Sequence, residues 1–544
     1  MIPGFWRLLC RCRWWRCEWR GSFGRAAAVA ERVWVRNERS RNFFRGAGSV
    51  SKLEGMTDRG RRVHVIGSMA LFVATAVISA VSQAGDWTRF QASPTGVDVA
   101  RLPEKWSPTE GMAWTAALPG YGQSSPVTWG DRVYVTAISG PNKEVCHILA
   151  LDRKSGTVAW QREVPTASPA ENSRYVSRAA PTPVVDEQGL YCFFEGGNLL
   201  ALTHAGETRW TRDLVKEFGE VKARHGLAAS LEQTGDRIFV WVERGEDPYV
   251  LAVEKSTGKD LWKIAGIGAT SWSSPRLLTL AGEQHLLLSA VGSVTGVSVE
   301  TGEQLWKVEG ISGNSSPTPV PAGEGRFVVG AAVGRGEADT GKAASSNGLV
   351  VVQKTASGGF TAEYVWRAKR ATCSFGSPLV EGGEVYFVNA SGVLYCLDLK
   401  SGEERYAQRL PDSVWATPFA VGDRAYFSGK GGTVAIVRTG PAFELIAENK
   451  TWEDVAAAEA GSGGKKPEPS RGDVAKDAGE APAREARGTE AAPREGGARS
   501  GGGMRGGRGE GMGGPAQPTL YATVVAGTDL LIRRGDRLYC VRGR

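Results

Sequence analysis

The stretch ALDRKSGTVAW, residues 150–160, decides the fold. An apolar run ends at Ala150-Leu151, Asp152 follows, Gly156 stands four residues on, and Trp160 four beyond that. These are the parts of a β-hairpin. Glycine supplies the positive φ of a tight turn, and the acidic side chain can accept hydrogen bonds from turn amides. The indole on the returning strand carries more surface than one hairpin can bury, so it requires a neighbouring unit.

The neighbours are present in the sequence. Gly206/Trp210, Gly258/Trp262 and Gly302/Trp306 keep the four-residue spacing, and Gly402/Tyr406 keeps it with Tyr in place of Trp. Glu254 and Asp398 fill the acidic position in two of these copies. A second landmark is a proline with an aromatic residue eight positions later: Pro126/Tyr134, Pro183/Tyr191, Pro319/Phe327, Pro378/Tyr386 and Pro418/Tyr426. Leu231/Phe239 and Val524/Ile532 keep that spacing with apolar substitutes, and Ser273-Ser274-Pro275 opens a unit whose next strand (Leu286 to Ser289) comes late. That makes eight units. Trp160, Trp210, Trp262 and Trp306 recur at intervals of 44 to 52 residues, room for four short strands apiece.

The expectation is therefore an all-β chain, an eight-bladed β-propeller of four-stranded antiparallel blades. Helical periodicity is confined to a turn around Leu214 to Phe218. The last unit offers three strands, so a strand around Ala113 to Leu118 is predicted to complete it and remove two open edges.

The +8 formal charge points first to nucleic acid, and its location removes that reading. Residues 1–55 hold eleven Arg and Lys52 against four Glu, which equals the excess of the whole chain. Met56, three Arg, an apolar run from Val65 to Val81 and Ser82-Gln83-Ala84 follow, the pattern of a cleavable secretory signal. Residues 1–55 are thus read as a doubtful leader, 56–84 as the signal, and 85–451 as the closing strand and first seven blades. Residues 452–518, rich in Gly, Ala, Glu, Arg and Pro, are read as a disordered insertion, and 519–544 as the last blade. The expected product is exported, periplasmic or extracellular, without a stable membrane span once the signal is removed. It carries −2 from Gly85 onward and has no nucleic-acid partner.

The run at residues 150–160 resembles the tryptophan-docking motif A-x-D-x-x-x-G-x-x-x-W of quinoprotein-type propellers. AVEKSTGKDLW at 252–262 matches with Glu for Asp, and LYCLDLKSGEERY at 394–406 is a looser copy. The chain is similar to the PQQ-like eight-bladed propeller family, including its secreted planctomycete members. That resemblance implies one of two activities. Dehydrogenase members hold PQQ with Ca²⁺ and oxidise alcohols or sugars; BamB-like members bind protein partners without a cofactor. The adjacent Cys pair that often covers the quinone is missing, as is a C-x-x-C-H haem motif. These absences favour the non-enzymatic branch, with no catalytic residue and no metal ligands assigned. The expected partner is a protein or extended peptide, with carbohydrate as the other candidate. Cys396 and Cys540, in matching Leu-Tyr-Cys contexts, read as small apolar core residues.

A propeller binds ligands at its channel mouth, where loops from every blade converge. The residues three before each repeat proline, or their neighbours, should line it: Gln123, Arg178, His225, Trp272, Asn314, Phe375, Trp415 and Tyr521. Aromatics beside one Arg and one His suit a planar or extended ligand; alternatively, Trp272 and Trp415 plug the channel.

Overall fold

The computed structural model describes residues 85–173, 176–223, 225–332, 344–453 and 518–543. The chain divides at Ala76/Val77, and all described residues belong to the second unit. The expected leader and signal, and positions 454–517 of the expected insertion, lie outside the described residues.

Eight four-stranded antiparallel sheets account for the described strands. Seven are runs of four consecutive strands: residues 127–165, 184–213, 232–265, 276–311, 320–367, 379–409 and 419–450, blades 1 to 7. Blade 8 is built from Leu520–Ala526, Asp529–Arg534 and Arg537–Arg542, and its outermost strand is Met112–Ala117 from the other end of the sequence. The predicted closing strand is therefore present, within one residue at each end. One short α-helix, Leu214–Phe218, stands where helical periodicity was expected; Asp213 caps it by accepting from the Lys216 amide at 3.0 Å. No helix among the described residues is long and apolar enough to cross a membrane.

The docking motif becomes a packing rule. Ala150 pairs with Trp160, Ala201 with Trp210 and Ala252 with Trp262, and a bulge follows at each pair. The small residue makes room for the indole, and the bulge turns it towards the next blade. Trp160 Nε1 donates to the His204 carbonyl, Trp210 Nε1 to Lys255 and Trp262 Nε1 to Val299, each at 2.9 Å and each one blade onward. The ring lies over that blade's turn glycine. Gly206, Gly258 and Gly302 have φ between 73° and 79°, and a Cβ on any of them would come within 3 Å of the indole. The turn acids behave as expected at Asp152 and Asp398, which accept from the amides of Ser155 (2.9 Å) and Ser401 (2.7 Å). Glu254, one methylene longer, bonds the Thr257 hydroxyl instead.

Two members of the series dock differently. Trp306 donates to His285 Nδ1 of its own blade at 3.0 Å and stacks on Phe327 of blade 5, with ring centroids 5.6 Å apart. Blade 5 offers it no glycine platform, because Gly358 has open space around it. Tyr406 meets Phe443, in the turn of blade 7 between Thr433–Arg438 and Leu445–Lys450, edge-on at 5.6 Å, while Gly440 of that turn has open space around it. Conversely, Trp114 and Trp366 dock on Gly156 and Gly402 without a four-residue glycine spacing of their own. Trp452, at the edge of the expected insertion, is buried against Tyr539 of blade 8.

The repeat aromatics Tyr134, Tyr191, Phe239, Phe327, Tyr386 and Tyr426 are wholly buried between blades. All five described cysteines are buried free thiols, Cys396 and Cys540 among the core residues as expected. Desolvation pushes the Cys396 thiol up to about 12, leaving it inert as a nucleophile.

Candidate functional site in the central channel

In blades 1 to 7 a hydroxyl residue stands two positions before the inner strand, immediately before the repeat proline or its substitute; in blade 8 Thr523 stands within the strand. Those residues converge on the propeller axis and join blade to blade. The Ser125 amide donates to Thr182 Oγ1 (3.1 Å), Thr182 to Ser230 Oγ (3.0 Å), and Ser230 to Ser274 Oγ (3.0 Å). Ser274 donates to Thr318 Oγ1 (2.9 Å), Thr318 to Ser377 Oγ (3.0 Å), and Ser377 to Thr417 Oγ1 (3.2 Å). At the closing blade, Ser428 Oγ of blade 7 bonds Thr523 Oγ1 at 2.8 Å. The bond does not depend on the proline, since Ser230, followed by Leu231, donates it too.

Above this hydroxyl girdle lies a cavity of ≈350 Å³ to which all eight blades contribute. Five of the predicted mouth residues line it: Gln123, Trp272, Phe375, Trp415 and Tyr521. Phe375 and Trp415 pack at 4.7 Å between centroids yet stay 46% and 37% exposed, so they form a rim and do not fill the mouth. Lys430 Nζ sits 4.1 Å from the centre of the Trp415 ring. Trp272 is fixed by a 3.1 Å bond from Nε1 to the Gly226 carbonyl.

The other three predicted residues are placed elsewhere. Asn314 is completely buried; its amide nitrogen bonds Ser289 Oγ and the Ser293 carbonyl, both at 3.0 Å, and it holds a loop of blade 4. Arg178 lies behind the rim with its guanidinium 3.5 Å from the centre of the Tyr121 ring, while its amide donates to Gln123 Oε1 at 2.8 Å. His225 is exposed beside Trp272, ring centroids 5.8 Å apart.

Sequence reasoning missed the floor. The segment from Gly85 to Gln91 runs along the inner strands. The Trp87 amide bonds Thr128 Oγ1 (2.7 Å), the Val185 amide bonds the Thr88 carbonyl (3.0 Å), and Arg276 Nη1 reaches the Phe90 carbonyl (3.4 Å). Glu232, fully buried, ties both arginines, at 3.1 Å to Arg276 and 3.5 Å to Arg89. Phe90 thereby enters the cavity lining, and the channel becomes a cup. No local pattern in residues 85–91 announces this. The girdle was missed as well, although a hydroxyl before each repeat proline, or before Leu231 and Val524, carries its signal.

PQQ with Ca²⁺ can be tested against this lining. Ca²⁺ takes six to eight oxygen ligands, several of them usually carboxylates. No Asp, Glu, Lys or Arg is among the described residues lining the cup. No group of three or more His, Cys, Asp or Glu placed to hold a metal occurs among the described residues. The donor set does not fit a calcium–quinone pair.

The cup, the girdle and the tryptophan docking define a PQQ-like β-propeller. The family model described as outer membrane protein assembly factor BamB matches residues 105–240 and 205–440, and the chain belongs to this PQQ-like propeller family. Among curated proteins it is similar to a polyvinylalcohol dehydrogenase from a Pseudomonas species, 25% identical over 224 residues. That match covers 35% of this chain and 32% of the relative, about a third of the relative's length. Among solved structures, BamB from Moraxella catarrhalis aligns with TM-score 0.46 at 12% identity, over 79% of this chain and 96% of that one. Quinohemoprotein alcohol dehydrogenase from Comamonas testosteroni aligns with TM-score 0.34 at 13% identity, over 72% and 83%.

Proposed function

We propose that this chain is an exported, non-enzymatic binding scaffold of the periplasm or cell envelope, whose channel mouth receives an extended segment of a partner protein. The observation that carries this reading is the cup itself. Its rim is aromatic, its wall is a belt of hydroxyls, and its described lining holds no carboxylate, imidazole, amine or guanidinium. Such a lining can bury apolar side chains and satisfy peptide groups, but it has no carboxylate or imidazole to act as a general base. The family description, an outer-membrane assembly factor, agrees with a protein partner.

A quinoprotein oxidoreductase is the second reading, favoured by the relative named as a polyvinylalcohol dehydrogenase. One experiment separates the two. The full chain is incubated with PQQ and calcium, and separately carries a photo-reactive residue in place of Phe375 in cells. The scaffold reading expects no dye reduction with alcohols or sugars, and a discrete cross-linked adduct lost in the Trp415→Ala background. A quinone absorbance band with alcohol-dependent dye reduction would establish the oxidoreductase instead.

A further inference from the structure

The mouth is electrically lopsided. Arg533 of blade 8 is wholly buried, and no carboxylate pairs with it among the described residues. Its Nε donates to the Gly122 carbonyl at 3.3 Å and its Nη2 to the Thr136 carbonyl at 3.0 Å, while Nη1 has no partner. Asp536, the acid that acts on it from nearby, lies exposed and is engaged by Arg534 at 3.4 Å. Gly122 is required here, since a Cβ at that position would come 2.2 Å from Nη2. A buried guanidinium without a counter-ion is costly, and cores normally replace it or pair it.

The Gly122 carbonyl that Arg533 holds is next in the chain to Tyr121, the first of two phenols at the mouth. Tyr121 and Tyr521 share a 2.6 Å hydroxyl–hydroxyl bond, Tyr521 lines the cavity, and Arg178 lies over the Tyr121 ring. Within this pair one O–H is free to donate outward, and both neighbouring cations favour an acceptor that bears negative charge. Burial lowers the Arg533 pKa to about 9, which leaves it charged at neutral pH. Elsewhere on the rim stand the half-exposed rings of Phe375 and Trp415.

We infer that the segment received by the cup is acidic and aromatic: a carboxylate side chain seated at the Tyr121–Tyr521 pair, beside a ring packed on Phe375 and Trp415. This rests on the scaffold reading and gives it a partner chemistry. Tyr521 would touch the carboxylate; Arg533 is a positioning residue that polarises the phenols and attracts the charge.

The test titrates the full chain, by fluorescence anisotropy, with a labelled peptide of sequence Gly-Asp-Phe-Asp-Phe-Gly and with its Asn counterpart. The acidic peptide is expected to bind about ten-fold tighter, the equivalent of one charge-assisted hydrogen bond. Tyr521→Phe and Arg178→Gln should each erase most of that ratio. Arg533→Met removes the charge, and Arg533→Lys guards against a folding defect by retaining it; the first should abolish the ratio and the second restore part of it. Equal binding of the two peptides would overturn this inference and leave the scaffold reading standing. Binding of neither peptide would count against both.

Discussion

The backbone amide of Ser274 in blade 4 donates to the Thr318 hydroxyl of blade 5 at 2.9 Å, in the channel wall where both residues are largely buried. The same bond recurs from blade 1 to blade 7, so the mouth of the cup is also the inner belt of the ring. Binding surface and fold stability share the same atoms.

That sharing predicts the response to Thr318→Val. The substitution keeps the shape but leaves the Ser274 amide buried and unpaired, at a cost of about 1–3 kcal/mol. Thr318→Ser, which retains the hydroxyl, should melt close to the parent. Urea denaturation of the three proteins checks this; equal midpoints for Val and Thr would show that the belt contributes nothing.

The outer belt should be as sensitive. Gly258 has φ +73°, and a Cβ there would lie 2.6 Å from the Trp210 ring. Gly258→Ala therefore incurs the left-handed backbone penalty of about 1–2 kcal/mol and also displaces the indole. Trp210→Phe loses the bond to the Lys255 carbonyl but keeps an aromatic face, and should be milder. Thermal melts of both variants would rank them; the reverse order would put the weight on the indole N–H.

Closure across the chain ends predicts a global effect from a small deletion. Arg537–Arg542 is hydrogen-bonded on both sides, to Asp529–Arg534 and to Met112–Ala117. Removing residues 537–544 strands the closing segment and opens two edges, so the truncated chain should unfold at lower temperature in one transition. Unchanged melting would mean that the blades are held without closure.

Acid should destabilise the propeller through its buried imidazoles. His285 is fully buried, its Nδ1 accepts from Trp306, and burial holds its pKa below the ordinary 6.5. His147 and His204 are lowered by burial as well. A histidine depressed in the fold favours the neutral form there, so the unfolded chain binds more protons. Its stabilisation is complete above about pH 6.5 and is lost as pH falls through the lower folded value. Urea midpoints should drop between pH 7 and pH 5, and His285→Gln should flatten part of that slope. An identical slope in the variant would remove His285 from the account.

Most of the architecture was legible because its determinants are local and repeated. Gly156 and Asp152 make a turn wherever they stand, and Ala150 opposite Trp160 sets a bulge within a single hairpin. The departures, at Trp306 and Tyr406, arise where the neighbouring blade's turn offers no glycine platform, and no residue within the unit carries that information.

The sequence by itself thus determined the eight-fold repeat, the closing strand and five residues of the cup, since period and spacing follow from hairpin geometry. The tertiary structure alone decided what the cup contains. Phe90 reaches its floor, Asn314 turns into the wall, and Arg533 comes to hold the Gly122 carbonyl, 411 positions away in the chain. Closing a ring brings together residues that no local pattern relates, and the charge at this mouth arises from that closure.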